Sequence, residues 1–375
     1  MIALRRVGLA LLAPLIAVVA AMIVTSLVVQ LSGSPATDFW NVIFSRPANR
    51  LLVNIVNQSS LIYLSALAAA IGFRMNLFNI GVEGQYTLAA LVAAYVGAVT
   101  PVPGPVRIAL ILIVAMLIGA GWSGAAAVLK VTRGVHEVIS TIMLNFIAFG
   151  ISAYLLRVYL KQPNLPGDFV VKTKLIPQSG QIPSLNPLLR GLGIHPPPGS
   201  QLYGFLPLAL VIGILYYLLV NRTRFGYDLR ATGVNPGAAS ASGVDAKAMI
   251  IKTMLISGAI AGLVGMPDLF GLYHRYTIDF VSGLGFSGIA VALVGRNNPF
   301  GIAFAALLFG FLDRSAQILD LYNIPKEITI IMRGVIILSV VIAYELVRRF
   351  VQAQEVRAAA ERTAKLAEEA ALEPA

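Results

Sequence analysis

Residues 76–85 read Asn-Leu-Phe-Asn-Ile-Gly-Val-Glu-Gly-Gln, set between apolar runs at 61–73 and 86–99. The stretch holds an ionisable Glu83, the amides Asn76, Asn79 and Gln85, and the glycines Gly81 and Gly84. A charge at membrane depth costs about 2.5–3.5 kcal/mol on insertion scales, so a carboxylate placed there points to function. Glycines beside it permit non-helical backbone, which a membrane tolerates only where it is buried in protein or lines a cavity. A polar break inside apolar sequence therefore predicts a pathway through a membrane protein.

Composition supports that reading. The 375-residue chain is 58% hydrophobic and 12% charged, whereas soluble domains are about half apolar and a quarter charged. The apolar runs are continuous, which excludes the alternating pattern of a lipid-facing barrel. The expected fold is all-α: a polytopic transmembrane helical bundle of about ten spans with broken or re-entrant glycine-rich segments. The net charge of +11 is assigned to topology-setting loops rather than to nucleic acid, because no basic stripe is interleaved with aromatics. The chain has no cysteine, so neither disulfides nor thiolate metal sites are expected.

The predicted spans lie near 7–31, 51–73, 77–99, 107–129, 138–160, 203–220, 249–270, 281–295, 301–320 and 328–347. The first is too long for the core of a signal peptide. The run at 281–295 is short and holds Gly283, Gly285 and Gly288, so it reads as broken or re-entrant. Ten crossings place both termini on one side, and the distribution of Lys and Arg puts that side in the cytoplasm. Residues 1–347 are expected to form one transmembrane domain, and 348–375, rich in Ala, Glu and Arg, a cytoplasmic helical tail.

Two loops are long. Residues 161–202, rich in Pro and Gly, are expected outside, as an irregular connector or as a docking surface. Residues 221–248 are expected inside. There Asn235 is placed to cap a helix with Pro236 at its first position, giving a small-residue helix over 236–242 closed by Gly243. Such a helix is a knob for a groove on another protein.

Several chemistries are missing. There is no Walker-type phosphate loop. His136-Glu137 opens like a zinc-protease helix, but Ser140 stands where the second histidine belongs. No Gly-x-Ser-x-Gly elbow occurs. The chain is read as neither an enzyme nor a metal protein.

Four stretches together resemble the permease subunits of ABC importers, in the branched-chain amino acid and simple-sugar group. They are Phe78-Asn79-Ile80-Gly81-Val82-Glu83-Gly84-Gln85; Gly134 to Asn145; Thr223-Arg224-Phe225-Gly226 with Leu229-Arg230-Ala231, Gly233, Asn235 and Ala238-Ala239; and Gly285 to Gly295. The resemblance covers roughly residues 50–345, and its first motif resembles the nucleoside and simple-sugar type. It implies a second homologous permease as heterodimer partner, a cytoplasmic ABC ATPase that binds ATP and Mg, and an extracytoplasmic substrate-binding lipoprotein. This chain itself would carry no cofactor. It would move a nucleoside or simple sugar across the bacterial inner membrane. The alternative is a gradient-driven transporter of a small polar solute.

The candidate pathway residues are Asn79, Glu83, Gln85, Asn145 and Ser287. Glu83 either meets the cargo, caps backbone amides freed at the break, or pairs with Arg74. Asn145 suits a helix-to-helix hydrogen bond. Coupling to the ATPase is assigned to Phe225, Gly226, Arg230, Gly233, Asn235, Ala238 and Ala239. The stretches at 78–84 and 285–292 read as paired interruptions around a central site.

Overall fold

A computed structural model describes residues 19–33, 35–44, 49–163, 169–319 and 327–340, with a few further positions up to 356. The tail predicted over 348–375 lies almost entirely outside the described residues. The chain divides into two units, one formed by residues 46–315 and the other by the two terminal regions. The terminal unit contains α1 (Val19–Leu31) and α2 (Ala36–Phe44), joined by a hydrogen bond of 2.9 Å from the Trp40 indole to Ser26 Oγ.

The larger unit holds the long helices. These are α3 (Asn49–Phe73), α4 (Val82–Val99), α5 (Gly104–Arg133) and α6 (Glu137–Leu155), the last continuing as a π-turn over Leu156–Leu160. The short α7 (Asn186–Gly191) precedes α8 (Leu206–Arg222), α9 (Arg224–Val234), α10 (Pro236–Ala241) and α11 (Ala246–Gly262). Then come α12 (Met266–Asp268) with its π-turn Leu269–Tyr273, α13 (Leu284–Val294) and α14 (Pro299–Leu319), the last running into the terminal unit. Among the described residues, six helices are long and apolar enough to cross a bilayer, or seven if α8 and α9, bent by 68° at their junction, are taken together. Each of the ten apolar runs is helical over most of what is described of it.

Burial sorts these helices. The windows of α3, α4 and α11 are mostly enclosed, while α5 and α6 expose most of theirs. Apolar side chains gain nothing by leaving lipid, so helices in a membrane associate through close packing and hydrogen bonds. The seam between α5 and α11 follows that rule. Ala115, Gly119 and Ser123 face Gly258 and Gly262, and a Cβ on Gly119 would sit 2.8 Å from Gly262 N. The backbones touch because no side chain intervenes.

The predicted connector 161–202 is largely irregular where described. Its residues 171–176 run against 274–278, with Thr173 N donating to Tyr276 O at 2.9 Å and Ile176 N to His274 O at 2.8 Å. One isolated antiparallel bridge, Lys172 to Thr277, joins the two stretches.

Candidate functional site

The first break begins at Arg74, where α3 ends. Asn76 adopts a left-handed conformation, φ 54°, which asparagine tolerates better than most side chains. The chain then climbs back beside the helix it has just left. Leu77 N bonds Gly72 O at 3.0 Å. Asn79 reaches the level of Ala68: its Nδ2 donates to Ser257 Oγ at 2.8 Å, and Ser257 Oγ donates to Ala68 O at 2.6 Å. At 1.5 Å per helical residue, that level is about 7.5 Å from the end of α3. Only at Val82 does α4 begin, so the predicted span at 77–99 starts with an extended segment.

Extended backbone at this depth has lost its helical partners, and the amides replace them. Asn79 Oδ1 accepts from Gly81 N at 3.0 Å, and Asn79 and Gln85 exchange two side-chain bonds of 3.0 and 2.9 Å. Asn145, on α6, accepts from Gly84 N at 2.8 Å and donates to Ile80 O at 2.9 Å. It thus makes the helix-to-helix link expected of it. Asn79, Gln85 and Asn145 are all buried.

Glu83 reaches across to the second break. Its Oε1 accepts from Gly283 N at 2.5 Å and its Oε2 from Gly285 N at 2.6 Å. The Tyr86 hydroxyl donates to Oε1 at 2.7 Å. The carboxylate caps the start of α13, the end where backbone N–H groups lack partners and the helix dipole favours negative charge. Of the readings open to Glu83, the cap is thus realised, on amides of the other break. Arg74 does not pair with it. The guanidinium instead donates to Asn297 O, just past the end of α13, from Nε at 3.3 Å and Nη2 at 2.9 Å.

These contacts show that the two breaks form one joint. Helix α13 runs parallel to α3, with Ser65 Oγ bonded to Leu284 O at 2.7 Å near its start and Arg74 at Asn297 near its finish. Its 11 residues span about 16 Å, half of a hydrocarbon core about 30 Å thick. It is a half-helix, as the short glycine-rich run predicted. Gly285 and Gly288 permit the approach, since a Cβ on Gly285 would lie 2.8 Å from Glu83 N. Of the five pathway candidates, Ser287 alone is not buried, its hydroxyl donating to Gly283 O at 2.9 Å. Phe78 and Phe286 are exposed beside the joint, at 45% and 61%.

The loop 221–248 is more ordered than its sequence suggested. Helix α9, which the spacing did not reveal, begins with Thr223 Oγ1 accepting from Gly226 N at 3.1 Å. Arg230 donates back to Val220 O. Asn235 caps α10 by accepting from Ala238 N at 3.0 Å, and Gly243 follows the helix in a left-handed conformation, φ 85°, as expected. Asp245 then caps α11. Of the residues assigned to coupling, Gly226 and Ala239 are buried within the loop, Phe225, Arg230 and Gly233 are partly covered, and Asn235 and Ala238 are exposed. Tyr227 and Val234 are exposed apolar side chains, and both line a cleft of about 620 Å³ between α9 and α10.

At the other end of α3, where Asn57 Nδ2 donates to Gln201 O, lies a cavity of about 490 Å³. It is lined by Gln178, Gln181, Gln201, Tyr203, Phe270 and His274 among others. Burial, with help from neighbouring Arg275, holds the imidazole of His274 below its ordinary range and so favours its neutral form. Where the sequence raised and dismissed a zinc helix, His136 Nδ1 accepts from Val138 N to cap α6, and Glu137 pairs with Lys130 at 2.5 Å. No cluster of His, Cys, Asp or Glu suited to a metal occurs among the described residues.

Residues 51–341 match the family model described as "Branched-chain amino acid transport system / permease component". The chain belongs to this family. It is the membrane permease subunit of an ABC importer, a multi-pass membrane protein. The permease is 34% identical to the guanosine ABC transporter permease protein NupP of Bacillus subtilis, over 91% of this chain and 95% of the relative. It is 29% identical to the nucleoside permease NupB of Lactococcus lactis, over 96% and 98%. Identity to a glucose permease, TsgB13 of Haloferax volcanii, is 27% over 88% and 86%. Each of the two bacteria also has a second permease that matches this one. No solved structure matches the permease.

Proposed function

We propose that this permease carries a nucleoside, with both termini in the cytoplasm and the α9–α10 loop seated on an ABC ATPase. A second, homologous permease completes the pathway, and a lipoprotein outside delivers the cargo. ATP hydrolysis and its Mg belong to the ATPase, since this chain has no phosphate-binding loop. The observation that carries the substrate class is the 34% identity to a guanosine permease along almost the whole chain. The neutral polar lining of the cavity near Gln201 and His274 suits an uncharged solute of that size.

In this reading the pathway runs beside the joined breaks. Ser287, Phe286 and Phe78 face it, while Asn79, Glu83, Gln85 and Asn145 form the wall behind and keep its polar backbone satisfied. A sugar is the second reading, favoured by the similarity to the glucose permease. The test is uptake into proteoliposomes holding the complete importer and its binding protein. Radiolabelled guanosine should accumulate with ATP, and excess cytidine or adenosine should compete while glucose and ribose do not. Competition by the sugars alone would replace the nucleoside reading with the sugar one.

A further inference from the structure

We propose that Arg74 and Asn76 are positioning residues that transmit movement of the cytoplasmic helix α9 to the half-helix α13. The proposal rests on the reading of the α9–α10 loop as the ATPase contact. It adds the route by which that contact reaches the membrane interior.

The route is continuous. Gly233, near the end of α9, lies against the first break so closely that a Cβ there would sit 2.8 Å from Met75 Cα. Asn76 Nδ2 donates to Gly233 O at 2.6 Å. Two residues earlier, Arg74 holds Asn297 O with two donors, and the Tyr216 hydroxyl of α8 adds a third at 2.9 Å. Lengthening or turning α9 about its bend with α8 therefore pulls on Asn76 and on the chain beside Arg74.

The far end of the route is a strained element. Arg296 and Asn297 are consecutive non-glycine residues with φ of 55° and 54°. Such conformations are disfavoured for residues with a Cβ and persist only where the surroundings over-determine them. Here the three donors on Asn297 O and the bond from Asn297 N to Ala292 O, 2.9 Å, supply that constraint. Releasing Arg74 removes two of the donors, so the turn that ends α13 is the place where a pull from α9 is felt. The opposite end of α13 is fixed to the same segment of chain through Glu83. The stretch 74–83 thus grips the half-helix at both ends, and α9 grips that stretch.

The experiment uses the lone thiol of a Ser282→Cys variant, since the chain has no cysteine of its own. Ser282 is exposed next to Gly283 at the start of α13. Maleimide labelling of this subunit is followed in the complete importer in nanodiscs, with and without a non-hydrolysable ATP analogue and Mg. Linked sites typically differ by 5- to 150-fold, so the labelling rate should change about fivefold or more on nucleotide binding. Adding Asn76→Gly keeps the left-handed backbone but removes the donor, and Arg74→Gln removes the charged fork. Each should shrink the nucleotide-dependent change to less than about twofold, while the ATPase still co-purifies and hydrolyses ATP. Arg74→Lys should restore part of the response. Full response in both variants, or no response in the Ser282→Cys parent, overturns the proposal. The loop reading fails separately, if Val234→Arg leaves ATPase co-purification unchanged.

Discussion

The joined breaks and the cytoplasmic loop are both irregular interruptions of a helical bundle, yet they are finished to different degrees. At the breaks the buried carboxylate and amides are all bonded within the chain: Glu83 has three donors, Asn79 and Gln85 bond each other, and Asn145 bridges Gly84 and Ile80. At the loop, Val234 is 85% exposed and Tyr227 is 65% exposed over an open cleft. A region without access to water must satisfy itself. A region that meets water and a partner can leave apolar surface uncovered. The difference marks the breaks as internal structure and supports the proposal that the loop meets the ATPase.

Substitutions test that contrast, the most damaging first. Glu83→Ala leaves two backbone amides, Gly283 N and Gly285 N, unpaired in the joint, and each orphan costs about 1–3 kcal/mol, while the Tyr86 hydroxyl keeps Val281 O at 3.0 Å. A loss of folded protein and a large fall in thermal stability in detergent are expected; a wild-type melting temperature would show that the joint is not self-supporting. Asn145→Leu removes one acceptor and one donor at the same joint. It should cost about 2–4 kcal/mol, read by the same melt, and a cost below that of an exposed cap would break the contrast. Asp245→Ala, on the loop side, removes a cap on α11 worth about 1 kcal/mol. Val234→Arg should change stability by less than about 0.5 kcal/mol and yet release the ATPase in a co-purification assay. A stability loss there would mean the loop is packed against its own chain rather than awaiting another.

The same contrast explains what was legible beforehand. Glycines and amides inside apolar runs announce a break, because little else justifies their cost in a membrane, and both breaks were located that way. The half-helix followed from the length of its apolar run. The Asn235–Pro236 start of α10 and its Gly243 finish were local signals and were read from neighbours. Glu83 could be given only alternatives, since its partners, Gly283 and Gly285, lie about 200 positions away and nothing near Glu83 names them. Helix α9 was missed because Thr223, its cap, sits directly after the end of another helix. The seam of Gly119, Gly258 and Gly262 was not read either, since glycines on two separate helices show no pairing until the helices meet. For the loop, sequence identified small residues but not which face outward; the buried positions of Gly226 and Ala239 make Val234 and Ala238 the better probes of a partner.

Helix α13 carries a carboxylate at its N-terminal end and a guanidinium beyond its C-terminal end. The acidic group sits at the N-terminal pole of the helix dipole and the basic group at the C-terminal pole, the arrangement that the dipole stabilises. Both clamps belong to the stretch 74–83 and neither to α13 itself. Partly buried charges are screened only weakly, so sliding α13 past that stretch would separate an attracting pair at each end. The half-helix is accordingly expected to move together with residues 74–83 as one body.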